Sequence, residues 1–373
     1  MLICNSCSHP WPDSEPRWRC DSCGNPLRYE SNAMFSPADL AHRPATLWRY
    51  HEALGIDDLA NRVTLGEGFT PLVPFRLGDQ SVLLKLDFLC PTGSYKDRGS
   101  TVMVSKLKEW GVTEIVEDSS GNAGASVAAY GAAAGVRTHI YVPASTSAGK
   151  AAQISMYGAD LVRVSGSRED TAAAAWDAAG RSFYGSHNWS PHFLLGMKTL
   201  AYEIAEQLDW QAPDWVVAPA GNGGLFAGLY LGFRDLFDGG IVARMPRLAA
   251  IQAARCDPIL RAWNAGLDEV PGIAKQDTAA EGISVAKPAR GREVLRAVRE
   301  SNGLVRTVDE ESLWRMLSIL GAGGVYVEPT SAVAPAAAAA LAREGVIQPA
   351  DRVVVTLTAF GLKATDKIVA HQA

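Results

Sequence analysis

The feature that most constrains the fold of this 373-residue chain is an alternation between short apolar runs and longer stretches of helical period. Residues 82–86, 114–118, 138–142, 215–218, 248–252 and 353–358 are apolar runs of strand length. Between them, 99–110, 123–134 and 225–236 carry helical patterns, as does the segment near Ile259. In 99–110, Met103, Leu107 and Trp110 share one face at i, i+4 and i+7, which predicts Lys106, Lys108 and Glu109 outside. Short strands separated by helices two to three times their length are joined by crossovers rather than hairpins, so they build parallel, doubly wound open sheets. The last run, 353–358, lacks polar alternation, as a strand covered on both faces must. Residues 335–342 are Ala-rich enough to resemble low complexity, yet Ala is the best helix former, and a helix laid against a sheet is predicted.

Composition limits the function. Lys plus Arg number 35 against 40 Asp plus Glu, a net charge of −5, with 47% hydrophobic and 20% charged residues. Such a chain is neither disordered nor built to hold nucleic acid or an anionic membrane surface. No apolar run reaches the roughly 18 residues that span a bilayer, and no charged-then-apolar leader opens the sequence, so the cytoplasm is expected. Of 57 alanines, only six lie in residues 1–110, while four of six cysteines lie in residues 4–23. The sequence thus reads as a small Cys-rich head, a mixed and Pro-dotted segment, and a long Ala/Gly-rich body.

Within the head, Cys4 and Cys7 form one Cys-x-x-Cys knuckle, and Cys20 and Cys23 form another. Two knuckles let four thiolates converge on a tetrahedral Zn²⁺, and so short a segment needs a metal in place of a core. Four thiolates close the coordination shell, which makes the ion structural. Two disulfides or four free thiols are the alternatives; disulfides fit poorly with a chain lacking a secretion signal. Cys90 and Cys256 read as buried small apolar residues.

In open α/β sheets ligands sit at the carboxyl ends of strands, so the strand-to-helix turns are the places to search. Four have unusual chemistry. Pro91-Thr92-Gly93-Ser94-Tyr95-Lys96 sets a lysine between a glycine turn and a helix start, where an amine whose pKa is lowered by burial can form a Schiff base. Ser119-Ser120-Gly121-Asn122-Ala123-Gly124 offers N–H groups at a helix start, which suits a carboxylate, although Ser and Asn also cap helices without any ligand. Gly221-Asn222-Gly223-Gly224-Leu225 lets backbone approach a phosphate, and it matches neither a Walker loop nor a dinucleotide fingerprint. Thr358, at the end of the last strand, can hydrogen-bond a buried heteroatom.

Taken in order, these turns resemble the pyridoxal-phosphate (PLP) enzymes of fold type II, and most of all the threonine synthase family. Residues 90–99 are similar to its Asn-Pro-Thr-Gly-Ser-Phe-Lys-Asp-Arg-Gly, 119–122 to its Ser-Thr-Gly-Asn, 221–224 to its Gly-Asn-x-Gly, and 358–363 to its Thr-Gly-His-Gly-Leu-Lys. The resemblance implies two doubly wound open-sheet domains behind a zinc-ribbon-like head. It draws the head as 1–30, a large cofactor domain as 31–95 plus 188–373, and a small domain as 96–187. By this likeness Lys96 is the Schiff-base lysine and general base, and Asn122 meets the cofactor's phenolic oxygen. Gly221, Asn222, Gly223, Gly224 and Leu225 hold the phosphate, and Thr358 faces the pyridine nitrogen. Ser119, Ser120, Ala123, His187 and Asn188 are the implied substrate-binding residues, Cys4, Cys7, Cys20 and Cys23 the zinc ligands, and the implied assembly is a homodimer.

One segment departs from the family pattern. Where residues 187–199 resemble it, the family opens with Asn-Ser and has Arg in place of Phe193; it also favours Thr at the position of Ala123 and Asn at that of Leu225. Threonine synthase holds the phosphate of O-phosphohomoserine, and charge-assisted hydrogen bonds contribute roughly 1.5–3 kcal/mol each. The expectation is therefore a lyase acting by β-elimination, or β-replacement, on a small unphosphorylated hydroxy amino acid such as serine, threonine or hydroxyaspartate. True threonine synthase activity is the alternative, and a catalytically silent PLP-binding or zinc-mediated interaction protein is an alternative of another class.

Overall fold

The computed structural model describes residues 1–30, 34–146 and 148–372. They fall into two compact units, Met1–Gly68 with Cys90–Met197 and Phe69–Leu89 with Lys198–Ala373. Residues 90–95 and 188–197, which the sequence groups with the larger domain, lie in the first unit, and so do residues 34–68. Glu67 ties them there by accepting hydrogen bonds from the Trp48 indole at 3.0 Å and the Tyr130 hydroxyl at 2.6 Å.

The first unit opens with three short antiparallel strands, β1 (Leu2–Cys4), β2 (Pro10–Trp11) and β3 (Leu27–Tyr29), ordered β2-β1-β3. The hairpin β4 (Leu72–Leu77) and β5 (Gln80–Leu86) comes next in the chain but belongs to the second unit. The first unit resumes with α1 (Lys96–Glu109), β6 (Glu114–Glu117), α2 (Asn122–Ala134), β7 (Arg137–Pro143), α3 (Ala148–Met156), β8 (Asp160–Val164), α4 (Arg168–Ala178) and β9 (Phe183–Tyr184). Its four body strands are all parallel, in the order β8-β7-β6-β9.

The head has a core of only Leu2, Cys4, Cys20 and Leu27, far too little to stand alone. It is held by side chains that leave it. Trp18 meets Trp176, Tyr184 and Trp189 edge-to-face at 4.8, 4.9 and 5.6 Å, and Asp13 lies 2.9 Å from the Lys106 amine. This corrects the expectation for Lys106, which is 1% exposed rather than solvated. The helical pattern of α1 has no way to signal that the head covers its apparent outer face.

The division between units falls within α5 (Pro191–Gln207). The second unit continues with β10 (Trp215–Pro219), α6 (Gly224–Asp238), β11 (Arg247–Ala253), α7 (Pro258–Asn264), α8 (Gly291–Glu300), β12 (Leu304–Val308), α9 (Glu310–Ala322), α10 (Pro329–Arg343), β13 (Val353–Leu357) and α11 (Thr365–Gln372). Its sheet runs β12-β11-β10-β13-β5-β4, parallel except for the edge strand β4. The Ala-rich segment is α10, buried along most of its length against this sheet, and the fully buried β13 sits mid-sheet, as the lack of alternation predicts. Cys90 and Cys256 are buried and unpaired.

Each parallel sheet has one place where the strand order reverses. In the first unit β6 lies between β7 and β9; in the second β10 lies between β11 and β13. Crevices at such points, at the carboxyl ends of the strands, are where open sheets bind ligands. No described helix is long and apolar enough to cross a membrane.

Candidate functional site

In the first unit the lysine turn is fixed by a carboxylate. The Thr92 backbone N–H and hydroxyl donate to Asp97 at 2.7 and 2.6 Å, and the Ser126 hydroxyl donates to it at 2.6 Å. Burial pushes Asp97 up to about 6, against the hydrogen bonds from Ser126 and Thr92 that hold it down. Helix α1 starts at Lys96 itself, three residues earlier than its apolar pattern shows, with the Lys96 N–H 3.2 Å from Ser94 Oγ. The half-buried Lys96 side chain ends 4.7 Å from the Tyr95 ring centroid and 5.8 Å from that of Phe193.

Phe193 is 2% exposed. A Cβ on Gly99 would stand 2.5 Å from its ring carbons, so only glycine on α1 lets the ring lie where it does. The ring also meets the His187 imidazole edge-on, with centroids 5.9 Å apart. His187 in turn is bound to Glu117, the last residue of β6. Its backbone N–H donates at 3.0 Å, and its Nδ1 lies 2.7 Å from the carboxylate. Burial, with the neighbouring charge of Asp118, pushes Glu117 well above the usual carboxylate range, while the charges of Arg168 and Lys96 act against the rise. Asp118 itself accepts from Arg168 and from the Tyr184 hydroxyl, both at 2.8 Å.

These groups gather at the reversal point of the first sheet. Register pairs Val116 with Tyr184, which sets Glu117 beside the residues just past β9, and the Ser119–Asn122 turn leaves the same strand end. Ser119, Ser120 and Asn122 are half-buried and Ala123 is buried, at the amino end of α2. Asn188 is half-buried beside His187, its N–H 3.4 Å from Ser186 Oγ.

In the second unit the glycine turn and Thr358 leave neighbouring strands. Val217 of β10 pairs with Val355 of β13, so both turns emerge at that sheet's reversal point. Gly223 has a left-handed φ of +96°, and a Cβ there would come within 2.7 Å of Val294, which restricts the position to glycine. A Cβ on Gly224 would meet nothing within 4 Å, so open space lies at the amino end of α6. Asn222 is turned back, its carbonyl accepting from the Arg290 N–H at 3.0 Å, and Leu225 is buried. Uncrowded N–H groups at a helix amino end match a dianionic phosphate. The buried Thr358 hydroxyl lies 2.9 Å from Ser331 Oγ, which also accepts the N–H groups of Thr358 and Ala359. These neutral groups fit a heteroaromatic nitrogen that carries no proton.

The four head cysteines come together, with all sulfurs within 4.8 Å of one another. The sulfur–sulfur distances are 3.3 Å for Cys4–Cys23, 3.7 Å for Cys7–Cys20 and 3.6 Å for Cys7–Cys23. A tetrahedron with metal–sulfur bonds of about 2.3 Å has edges of about 3.8 Å, whereas a disulfide needs sulfurs at about 2.05 Å. The spacing fits an ion. The N–H groups of Ser6 and Cys7 point at Cys4 Sγ, both at 3.4 Å, as suits a thiolate.

Three residues of these sites have roles that the sequence alone does not state. Glu117 reads there only as the polar end of a strand. Asp97 follows the lysine without announcing its role as the turn's anchor, and Ser331 becomes meaningful only once β13 and α10 are side by side.

Comparison with known proteins places the chain in a family. A family model described as pyridoxal-phosphate dependent enzyme matches residues 63–359. A threonine synthase from Methanocaldococcus jannaschii is 33% identical over 379 aligned positions, covering 98% of this chain and 93% of that protein. Among solved structures, a threonine deaminase from T.th. superimposes with a TM-score of 0.66 at 26% identity, over 78% of this chain and 92% of that one. Maize serine racemase gives 0.69 at 21%, over 88% and 99%, a likeness of fold.

Proposed function

Because the chain belongs to the pyridoxal-phosphate-dependent enzyme family, we propose that it is a lyase of threonine-synthase-like build that eliminates the β-hydroxyl of a small, unphosphorylated amino acid. The observation that carries this reading is Phe193, a buried ring beside Lys96 where the threonine synthase pattern has arginine. Without that cation, a phosphorylated side chain forgoes charge-assisted hydrogen bonds of roughly 1.5–3 kcal/mol each and must shed water against an apolar face.

Bound PLP supplies an electron sink for the charge that develops when Cα loses its proton. In this reading Lys96 holds the cofactor and takes that proton. The amide groups of 221–225 hold the phosphate, Asn122 steadies the ring oxygen, and the Thr358 hydroxyl faces the ring nitrogen. Ser119 and Ser120 take the substrate carboxylate at the amino end of α2, with Ala123, His187 and Asn188 around the side chain. A neutral partner at the ring nitrogen weakens the sink, which favours reactions whose leaving group carries charge away. Replacement of the β-hydroxyl by an external nucleophile uses the same steps up to its departure. We further assign a structural Zn²⁺ to Cys4, Cys7, Cys20 and Cys23, and a homodimer in the cytoplasm as the working form.

The test is product analysis on the yellow holoprotein, scoring ammonia, 2-oxo acid and threonine from serine, threonine, 3-hydroxyaspartate and O-phosphohomoserine. Ammonia and 2-oxo acid from the hydroxy amino acids are expected. Threonine formed from O-phosphohomoserine far faster than any elimination overturns the reading in favour of the second one, threonine synthase, which the near full-length similarity to that enzyme supports. Metal analysis should give one zinc per chain, lost in Cys20→Ser; protein that folds equally well without metal removes the zinc assignment.

A further inference from the structure

Glu117 and His187 are hydrogen-bonded at the reversal point of the first unit's sheet, and neither has a place in holding the cofactor. Glu117 is 0% exposed. A carboxylate in that position is costly unless partnered, and here the partner is His187, held through its ring Nδ1 at 2.7 Å and its backbone N–H at 3.0 Å. The same imidazole meets the Phe193 ring, whose surroundings also include the Lys96 amine. Imidazole and amine therefore border one apolar ring, and the carboxylate holds the imidazole. A carboxylate–imidazole pair that holds one added proton is neutral overall wherever in the pair the proton sits, and with Nδ1 engaged by Glu117 a proton handed onward leaves from Nε2.

Elimination of a hydroxyl needs such a proton. Phosphate departs readily as an anion, but hydroxide is a poor leaving group and must go as water. We propose that His187 is the acid that protonates the departing β-oxygen of a hydroxy amino acid, and that Glu117 is its positioning residue; this rests on the elimination reading above. Lys96 takes the Cα proton, and the C–H electron pair ends as the Cα=Cβ bond. The Cβ–O bond breaks with its pair on oxygen, and the Nε2 proton completes a water molecule. The neutral imidazole regains a proton from solvent, Lys96 gives the Cα proton up to solvent, and the enamine released hydrolyses with one water to ammonia and a 2-oxo acid. No oxidant or reductant is required.

The discriminating comparison is serine against 3-chloroalanine, because chloride leaves without a proton. In His187→Asn holoprotein, serine turnover should fall about 100-fold or more, within the 10²–10⁴ range of general acid catalysis. Turnover of 3-chloroalanine at saturation and exchange of the Cα proton with D₂O should fall about tenfold less than serine turnover does. Glu117→Gln should lower serine turnover by a smaller factor and move the pH profile of kcat, with 3-chloroalanine again spared. His187→Gln serves as the second variant should His187→Asn fold poorly. Equal losses on both substrates at matched cofactor content, or unchanged serine turnover, overturn the proposal. If wild-type protein eliminates 3-chloroalanine but no hydroxy amino acid, the functional reading has failed and takes the proposal with it. If wild type eliminates serine and the variants lose both substrates alike, the acid role alone has failed.

Discussion

Lys85 and Lys96 are the same residue type used in opposite ways. Lys85, in the second unit, is 0% exposed, and its ammonium donates to Glu203 at 2.8 Å, to the Thr70 carbonyl at 2.6 Å and to Gln207 at 2.9 Å. All three of its protons are spent. Lys96, in the first unit, is half-buried, borders two aromatic faces, and among the described residues its amine has neither an ion pair nor a hydrogen bond. A lysine saturated by acceptors is part of the fold, whereas a nucleophile must keep its lone pair uncommitted. The difference lies in the partners each chain segment brings, which the residue type does not show.

Substitution should separate the roles. The largest expected effect is on chemistry: Lys96→Ala should abolish the visible absorption of the holoprotein and lower turnover by about 10⁴-fold or more, while thermal unfolding moves by only a few degrees. A variant that keeps its colour and its turnover would remove Lys96 from the chemistry. Next in size is Lys85→Ala, which leaves Glu203 buried without its cation and should cost about 3–5 kcal/mol in urea unfolding. Replacing both partners with apolar residues, Lys85→Met with Glu203→Leu, should recover most of that loss. A Lys85→Ala protein as stable as wild type would mean that the other donors to Glu203, the Phe69 and Thr70 N–H groups among them, suffice without the ammonium.

The same contrast explains what was legible in the sequence. The alternating strands and helices, the glycine turn after β10 and the lysine turn before α1 are encoded locally, in periodicity and in residues placed at strand ends. The cysteine knuckles are local too, and their sulfurs meet as the spacing predicts. Partnerships between distant segments are not local. Glu117 and His187 are separated by 70 positions in the chain, and they meet only because β9 inserts beside β6. Lys106 reads as solvated because the helical period of α1 cannot know that Asp13 from the head lies across it. Helix α1 begins early because Ser94 and the turn held by Asp97 supply a start that hydrophobic periodicity does not register.

The smallest of these effects tests the turn that carries Lys96. Where the Lys85 site neutralises its carboxylate with an ammonium, the Lys96 turn surrounds Asp97 with hydroxyl and N–H donors alone at the contacts that fix it. Its carboxyl is raised from the ordinary 3.8 to about 6, chiefly by burial, so the folded chain holds this proton more tightly than the unfolded one. The sign follows: the contribution to stability is fully present below 3.8 and is lost as pH rises through 6. A shift of about two units corresponds to about 3 kcal/mol across that window. Asp97→Asn cannot titrate, so urea unfolding measured in steps from pH 4 to 6.5 should show a flatter decline than wild type by about that amount. Glu117, raised in the same direction, keeps part of the decline in both proteins. Identical slopes would mean that Asp97 is already ionised at pH 4, and that its three donors outweigh burial in the lysine turn.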